Sequence, residues 1–219
     1  VAYDTISEIV AKVSGHSYAS EVVRQLFQPL GMDDASVGMQ GLLTAKDWAR
    51  PYNGKNPIVV NDNYYRVPAA AGVNSTIIDL ARWMQAQMGE NPDVLSMPLL
   101  NEIHRPRVQT WRVYGNTAMG HALTDPGYGQ GWRSFTYAGH WLVGHSGAVN
   151  GYRSSMMFDP ASRTGIVLLW NSNAGKPFRL QLELFDLFYH RPFYNWAELK
   201  QTDIDDGTAL PPVAVSKGN

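Results

Sequence analysis

The sequence predicts an α+β fold: a helical first part, then antiparallel strands, then a closing helix. Three observations predict it. Apolar residues recur at three- and four-residue spacing up to Pro106 and give way to short β-like runs from about Gly127. Turn signals, not helices, separate those runs. The alternating strand and helix units that build a parallel sheet are missing upstream.

The chain opens almost inside a helix. Ile6, Ile9, Val10 and Val13 recur at helical spacing, and Ser14-Gly15 supplies the stop. Ser17 or Ser20 can cap a second helix whose Val23, Leu26, Phe27 and Leu30 share a face, with Pro29 and Gly31 closing it. Residues 32–74 read as a long irregular connection, dense in turn residues such as Asn53-Gly54 and Asn56-Pro57, with one short helix expected around Thr44 to Ala49. A connection of that length is more often functional than idle. Thr76-x-x-Asp79 predicts a capping box ahead of Ile77, Leu80, Ala81, Met84 and Met88, one face of a third helix. Ser96 and Pro98 begin a shorter helix carrying Leu99, Leu100 and Ile103, which Pro106 ends.

The strands expected are Gly131 to Tyr137, Trp141 to His145, Tyr152 to Phe158 and Thr164 to Trp170. Asp159-Pro160 marks the last turn between them. Phe178 to Tyr189 reads as a final helix, apolar on more than one face, and Gly207, Pro211 and Pro212 mark a loose tail. The expected organisation is therefore 1–126 as a helical-lobe portion, 127–202 as strands with a helix packed on them, and 203–219 as tail. Gly165-Ile-Val-Leu-Leu-Trp170 is a continuous apolar run, the pattern of a strand covered on both faces and flanked on both sides. A meander ending there leaves an open hydrophobic edge, so a partner outside this chain is expected.

Composition excludes more than it selects. With 219 residues there is enough chain for one sizeable core or two small lobes. A formal charge of -1 gives no electrostatic reason to expect nucleic acid or an anionic membrane as partner. There is no apolar run long enough to cross a bilayer as a helix. The absence of cysteine rules out disulfides, thiolate metal sites and cysteine nucleophiles.

The stretch "LVGHSGAVNGY", residues 142–152, raises the question of what Ser146 does. As a nucleophile elbow, Gly144-His-Ser-Gly-Ala148 fits the loose form, and Asp159 or Asp186 and His190 follow in the order α/β-hydrolases use. An elbow, however, passes from strand into helix. Here Val149-Asn150-Gly151 is a turn signal and Tyr152 to Phe158 is β-like. The wall of a cleft, on a strand, is the better reading.

Several motifs together are similar to the serine β-lactamase-like hydrolases, the superfamily of class C β-lactamases, penicillin-binding proteins and esterases. They are Phe27-Gln-Pro-Leu-Gly-Met32, Pro68-Ala-Ala-Ala-Gly72 with Ser75-Thr76 and Asp79-Leu80, Tyr128-Gly-Gln-Gly-Trp132, and "VGHSGAVNGYRSSMMFDPASRTGIVLLWNSN". They span roughly residues 1–175. The resemblance implies a β-lactamase/transpeptidase-like fold, and His145-Ser146-Gly147 stands where many members carry Lys-Thr-Gly. Two further family motifs have no counterpart. No Ser-x-x-Lys occurs in the chain, and Tyr114-Gly-Asn116 has the letters of the Tyr-x-Asn motif at the wrong place. The opening residues look like the segment that follows that motif. The expectation is therefore a C-terminal portion, incomplete at its N-terminal side, whose partner is the missing N-terminal segment of the same protein.

The resemblance implies acyl-enzyme chemistry on an ester, amide or β-lactam carbonyl, with a small-molecule or peptide substrate and neither cofactor nor metal. Carried over by position, the Ala148 backbone N–H is one oxyanion donor. Gly147 lets the substrate backbone approach, and Ser146 holds substrate or joins the proton-transfer network. His145 replaces a lysine and, with an unperturbed pKa near 6.5, attracts a carboxylate less firmly. That favours an esterase or peptidase over an efficient β-lactamase. Asn150 and Tyr152 read as turn and rim residues that touch substrate. An envelope, periplasmic or secreted location follows from the family alone. The competing reading is a non-catalytic module that kept the fold and lost the nucleophile.

The histidines also have structural readings. His16 and His104 fall at helix ends, where histidine meets the terminal carbonyls. His140 and His145 are five apart, which on a strand places them on opposite faces and argues against a shared metal. His121 and His190 have no ligand-like neighbours in sequence.

Overall fold

Gly15 ends the first helix at the predicted stop. The computed structural model describes residues 2–110 and 115–199. Helix α1 (Thr5–Ser14) closes on Gly15 at φ 75°, whose N–H donates to the Ala11 carbonyl. This is the left-handed cap that glycine adopts without a Cβ penalty. Helix α2 (Tyr18–Val22) is capped by Ser17, whose Oγ accepts from the Ser20 N–H, and it runs on as a π-helical turn, Val23–Phe27.

The connection contains more short structure than its turn residues suggested. Strand β1 (Ser36–Val37), helix α3 (Met39–Thr44), strands β2 (Tyr52–Asn53) and β3 (Asn56–Pro57), helix α4 (Pro68–Ala71) and strand β4 (Val73–Asn74) follow in order. β1 pairs with β4 and β2 with β3. The short helix lies earlier than the expected Thr44 to Ala49: it ends at Thr44, and Ala45 is extended. The reason is tertiary. Beyond it the Arg50 carbonyl accepts from Asn171 Nδ2, and the Tyr52 N–H donates to the Asn171 carbonyl. Bonds to a distant strand end hold this stretch extended, where local propensity alone favoured a turn of helix.

Helix α5 (Ile77–Gln87) is capped by Thr76 Oγ1, which accepts from the Asp79 N–H. The Asp79 carboxylate, 1% exposed, accepts instead from the Asp34 N–H at 3.2 Å and so ties the connection to this helix. Of the predicted face Met84 is buried, but Ile77 is 46% exposed. Helix α6 (Met97–His104) is capped by Ser96. Phe27, Leu30, Met32, Ala86, Leu95 and Leu100 form the core between these helices.

Strand β5 (Val108–Gln109), helix α7 (Ala118–Ala122) and strands β6 (Leu123–Tyr128), β7 (Arg133–Tyr137), β8 (His140–Val149), β9 (Tyr152–Asp159) and β10 (Thr164–Trp170) complete this part. The sheet order is β10-β9-β8-β7-β6-β5, antiparallel throughout. The sheet therefore begins ahead of Gly127. β6 escaped the sequence reading because Pro126 and an Asp125 at φ 52° interrupt it, and its register shifts between Thr124 and Gly127.

A second core joins α5 to the sheet through Met84, Trp132, Val143, Met156 and Phe158. Gly165 allows that approach, since a Cβ there would sit 2.4 Å from Met84 Sδ. β10 is an edge strand. It pairs with β9 alone, its other edge carries no strand among the described residues, and Leu169 is 39% exposed. The run read as flanked on both sides is thus flanked on one.

From Lys176 the chain forms a separate compact unit. It contains helix α8 (Leu180–Phe188) with Leu182 and Phe185 buried. Asp186 accepts from Trp196 Nε1 at 2.7 Å and pairs with Arg191. Tyr114 and the tail from Asp203 lie outside the described residues. No helix among the described residues is long and apolar enough to cross a membrane.

Candidate active site

Strand β7 stops short of its neighbour. Its first residue, Arg133, pairs with Gly144, so beyond Gly144 strand β8 has no strand on that side among the described residues. His145 to Val149 thus keep one free backbone edge while the other stays paired with β9. A free edge of this sort presents unpaired N–H and C=O groups to whatever lies beside it. Ala148 falls within it.

Asn150-Gly151 makes the two-residue hairpin from β8 to β9, with Val149 opposite Tyr152 and Gly151 at φ 79°. The turn is fixed from outside: the Gly151 N–H donates to Asn173 Oδ1, and the Tyr152 hydroxyl donates to the Ala49 carbonyl at 2.7 Å. Burial, with Tyr65 nearby, pushes the Tyr152 phenol up to about 12. Its hydroxyl is an anchored rim group whose one proton is already given to the Ala49 carbonyl. Beside this strand end lies a cavity of about 810 Å³, lined by Gly147, Ala148 and Asn150 on one side and by Leu42, Trp48 and Tyr64 of the connection on the other.

The predicted site residues do share one strand end, but they face different ways. Ser146 alternates with His145 and Gly147 across the pleat. Its Oγ lies 2.7 Å from Oγ of Ser155, the residue opposite it on β9. The elbow reading fails on this geometry. Ser146 sits inside a strand followed by a turn and another strand, Asp159 pairs with His140 at 3.0 Å, and Asp186 is held by Trp196 and Arg191. Gly147 also has an internal reason to be glycine: a Cβ there would sit 2.6 Å from Ser154 Oγ.

His145 is less cationic than its ordinary value suggests. Its ring meets Tyr128 edge-on at 6.2 Å between centroids, and its Nε2 lies 3.5 Å from the Tyr128 hydroxyl, at the outer limit of hydrogen bonding. The residue is exposed at the surface, and partial desolvation by its neighbours, followed by the charge of Arg133, lowers its pKa. The shift favours the neutral imidazole. Tyr3 donates to the Tyr128 oxygen at 3.3 Å, and desolvation first, then this bond, push Tyr128 up to about 12.

Arg133 and Tyr128 are the neighbours that residue-by-residue reading did not place here. The guanidinium carbon of Arg133 lies 5.2 Å from the Tyr128 ring centroid. The available signal was their position, at the two ends of the Tyr128-Gly-Gln-Gly-Trp132 turn. Gly129 there can carry no side chain, since a Cβ would meet the Ile103 and Arg105 carbonyls at 2.6 and 2.7 Å.

The other histidines are structural. His104 does not cap its helix: it is 3% exposed, with Nε2 2.8 Å from Gln87 Oε1 and edge-on contacts to Trp132 and Phe158. Burial lowers its pKa to about 4. His16 pairs with Glu21, and His121 Nε2 lies 2.6 Å from Asn116 Oδ1.

A family model described as Beta-lactamase matches residues 1–189. The chain is similar to Unguisins hydrolase ungD of Aspergillus violaceofuscus, 24% identical over 189 residues, covering 78% of this chain and 33% of that protein. It is also similar to Protein flp of Staphylococcus aureus strain MW2, 28% identical over 176 residues, covering 78% of this chain and 32% of the relative. It thus spans about a third of the length of these relatives. Among solved structures it resembles an octameric penicillin-binding protein homologue from Pyrococcus abyssi, with a TM-score of 0.73 at 24% identity, over 86% of this chain and 41% of that one. A class C beta-lactamase gives 0.64 at 21% identity, over 88% and 56%. These likenesses establish the fold.

Proposed function

The chain belongs to the beta-lactamase family, and from that premise we propose that it is the C-terminal part of a serine hydrolase working by acyl-enzyme chemistry. The carbonyl attacked belongs to an ester, an amide or a β-lactam. The observation that carries the reading is the free edge of His145 to Val149 beside a cavity of about 810 Å³. That edge supplies donors for a developing oxyanion and a rail for an extended substrate. No Ser-x-x-Lys is present in the 219 residues to supply the attack.

The placement of these residues supports the following roles. Ala148 offers its backbone N–H to the oxyanion, a contribution that is commonly the largest single catalytic term. His145, neutral and next to Tyr128, takes part in proton positioning and does not act as a fixed cation. Gly147 leaves space, Asn150 and Tyr152 form the rim of the cavity, and Ser146 supports the strand through Ser155. The attacking serine and its activating base come from outside these residues. They enter beside Gly147 and Ala148, and the open edge of β10 takes a further strand of the same protein.

The experiment is hydrolysis of a chromogenic ester and a chromogenic β-lactam by the purified 219-residue chain, and by any longer form of the protein that carries Ser-x-x-Lys. The short chain is expected to show no turnover above buffer, and the longer form is expected to burst and acylate on that serine. Turnover by the short chain that disappears in Ser146→Ala would overturn the reading. A longer form with the motif absent and no turnover would favour the non-catalytic module.

A further inference from the structure

We propose that Tyr128 is a positioning residue for His145: its hydroxyl donates to Nε2 and keeps the proton of the neutral ring on Nδ1. The imidazole then serves the site as an N–H donor and not as a base. The inference rests on the acyl-transfer reading only for what that donor serves, since the tautomer is measured without substrate.

Strand register brings the two rings together. Tyr128, the last residue of β6, pairs with Arg133, the first of β7. Arg133 in turn pairs with Gly144, one residue before His145. The rings meet edge-on at 6.2 Å, and the hydroxyl lies 3.5 Å from Nε2. On β9 the residue opposite His145 is Met156, whose side chain carries no charge. The polar and charged neighbours of the imidazole are thus Tyr128 from β6 and Arg133 from β7, with Tyr3 acting through Tyr128.

The direction of the bond follows from counting protons. A phenol has one, and a neutral imidazole has one shared between two nitrogens. Tyr3, in the short turn Ala2–Asp4 ahead of α1, donates its proton to the Tyr128 oxygen at 3.3 Å. That leaves the Tyr128 proton for a further acceptor, and Nε2 is within reach. Arg133 favours the same direction. Its guanidinium carbon is 5.2 Å from the Tyr128 ring centroid, where a positive charge makes the phenol a better donor. The same charge opposes a second proton on the imidazole. Which nitrogen of a histidine keeps its proton is set by the bond the other makes, so an accepting Nε2 means Nδ1–H. A lysine would offer three donors and a charge; this ring offers one donor and no charge. Such a group suits an uncharged acceptor, the oxygen of an ester or amide.

The test is spectroscopic. In the 219-residue chain with isotopically labelled histidine, long-range proton–nitrogen correlation at about pH 8, above the ordinary imidazole range, reports the proton on each ring nitrogen. The loss of signals in His145→Gln assigns them. Nδ1–H is expected to exceed Nε2–H roughly fivefold, a modest preference in keeping with one long hydrogen bond. Tyr128→Phe keeps the ring contact, removes the hydroxyl and should reverse the ratio toward Nε2–H, the form a free histidine prefers in water. Tyr3→Phe should lower the ratio less, because Tyr128 keeps its own proton. Thermal midpoints report that the variants fold, and the unaltered chain decides the matter if Tyr128→Phe does not. Predominant Nε2–H in the unaltered chain overturns the assignment, as does a ratio that Tyr128→Phe leaves unmoved. The two readings fail separately. A longer form carrying Ser-x-x-Lys that does not hydrolyse removes the acyl-transfer reading and leaves the tautomer standing, whereas hydrolysis beside an Nε2–H ring removes only the role of Tyr128.

Discussion

Ser146 Oγ lies 2.7 Å from Ser155 Oγ across the β8–β9 ladder. The two hydroxyls satisfy each other, and Ser155 is 1% exposed. A serine engaged in this way is part of the strand pair. Ser146→Ala should leave Ser155 without its partner and cost about 1–3 kcal/mol, the penalty of an unsatisfied buried hydroxyl. Ser155→Ala alone should cost a similar amount, and the double variant less than the sum. Denaturant melts of the four proteins check this. Additive costs would mean that the bond contributes nothing. A fluorophosphonate probe should leave Ser146 unlabelled.

Gly147 lies where two explanations compete, room for a substrate and room for Ser154. Gly147→Ala places a Cβ 2.6 Å from Ser154 Oγ, so that hydroxyl must turn aside, and a destabilisation of about 1 kcal/mol is expected. Ser154→Ala in the same chain removes the clash and should restore the melting midpoint. Carboxylate and ester-analogue binding should remain impaired in the double variant if the glycine also serves the substrate. Full recovery of both would leave Gly147 with a packing role only.

How much of this was legible in the residues depends on whether the cause is local. Gly15, Ser17, Thr76 and Ser96 mark helix ends by chemistry confined to one turn, and the structure uses all four. The β8–β9 hairpin was readable for the same reason, from Asn150-Gly151. β6 was not, because Asp125 and Pro126 break its pattern and only its neighbours β5 and β7 make it a strand. The site divides in the same way. His145 to Ala148 stand out as a motif, whereas the free edge they present depends on where β7 begins relative to β8, a matter of register that no single strand encodes. His104 was misplaced because helix-end position was visible and the depth of the core beneath it was not.

Asp79 links the connection to α5. Its buried carboxylate accepts from the Asp34 N–H at 3.2 Å and lies 3.6 Å from Arg82. Asp79→Ala removes that acceptor and leaves the Asp34 N–H and Arg82 without it. A loss of about 3 kcal/mol is expected, in the range for breaking a buried charged contact. The loss should be accompanied by faster proteolysis within residues 32–74. Asp79→Asn, which keeps an acceptor oxygen, should recover part of the stability. Unchanged cleavage in the connection would show that this carboxylate does not hold it.

His104 should make stability depend on pH in a predictable direction. Its folded pKa is near 4, below the ordinary 6.5, because burial beside Trp132 and Phe158 disfavours the charged form. Between those two values the unfolded chain takes up a proton that the folded chain refuses. Stability is therefore complete above about pH 6.5 and declines as pH falls toward 4, by on the order of 3 kcal/mol. The lowered pKa of His145 acts in the same direction. His104→Gln replaces the titrating ring by an amide, so its plateau near pH 8 should be lower through lost packing, while its decline from pH 7 to 4.5 should be shallower. Denaturant melts at half-unit pH intervals measure both. Parallel curves for the two proteins would assign the acid sensitivity to other groups.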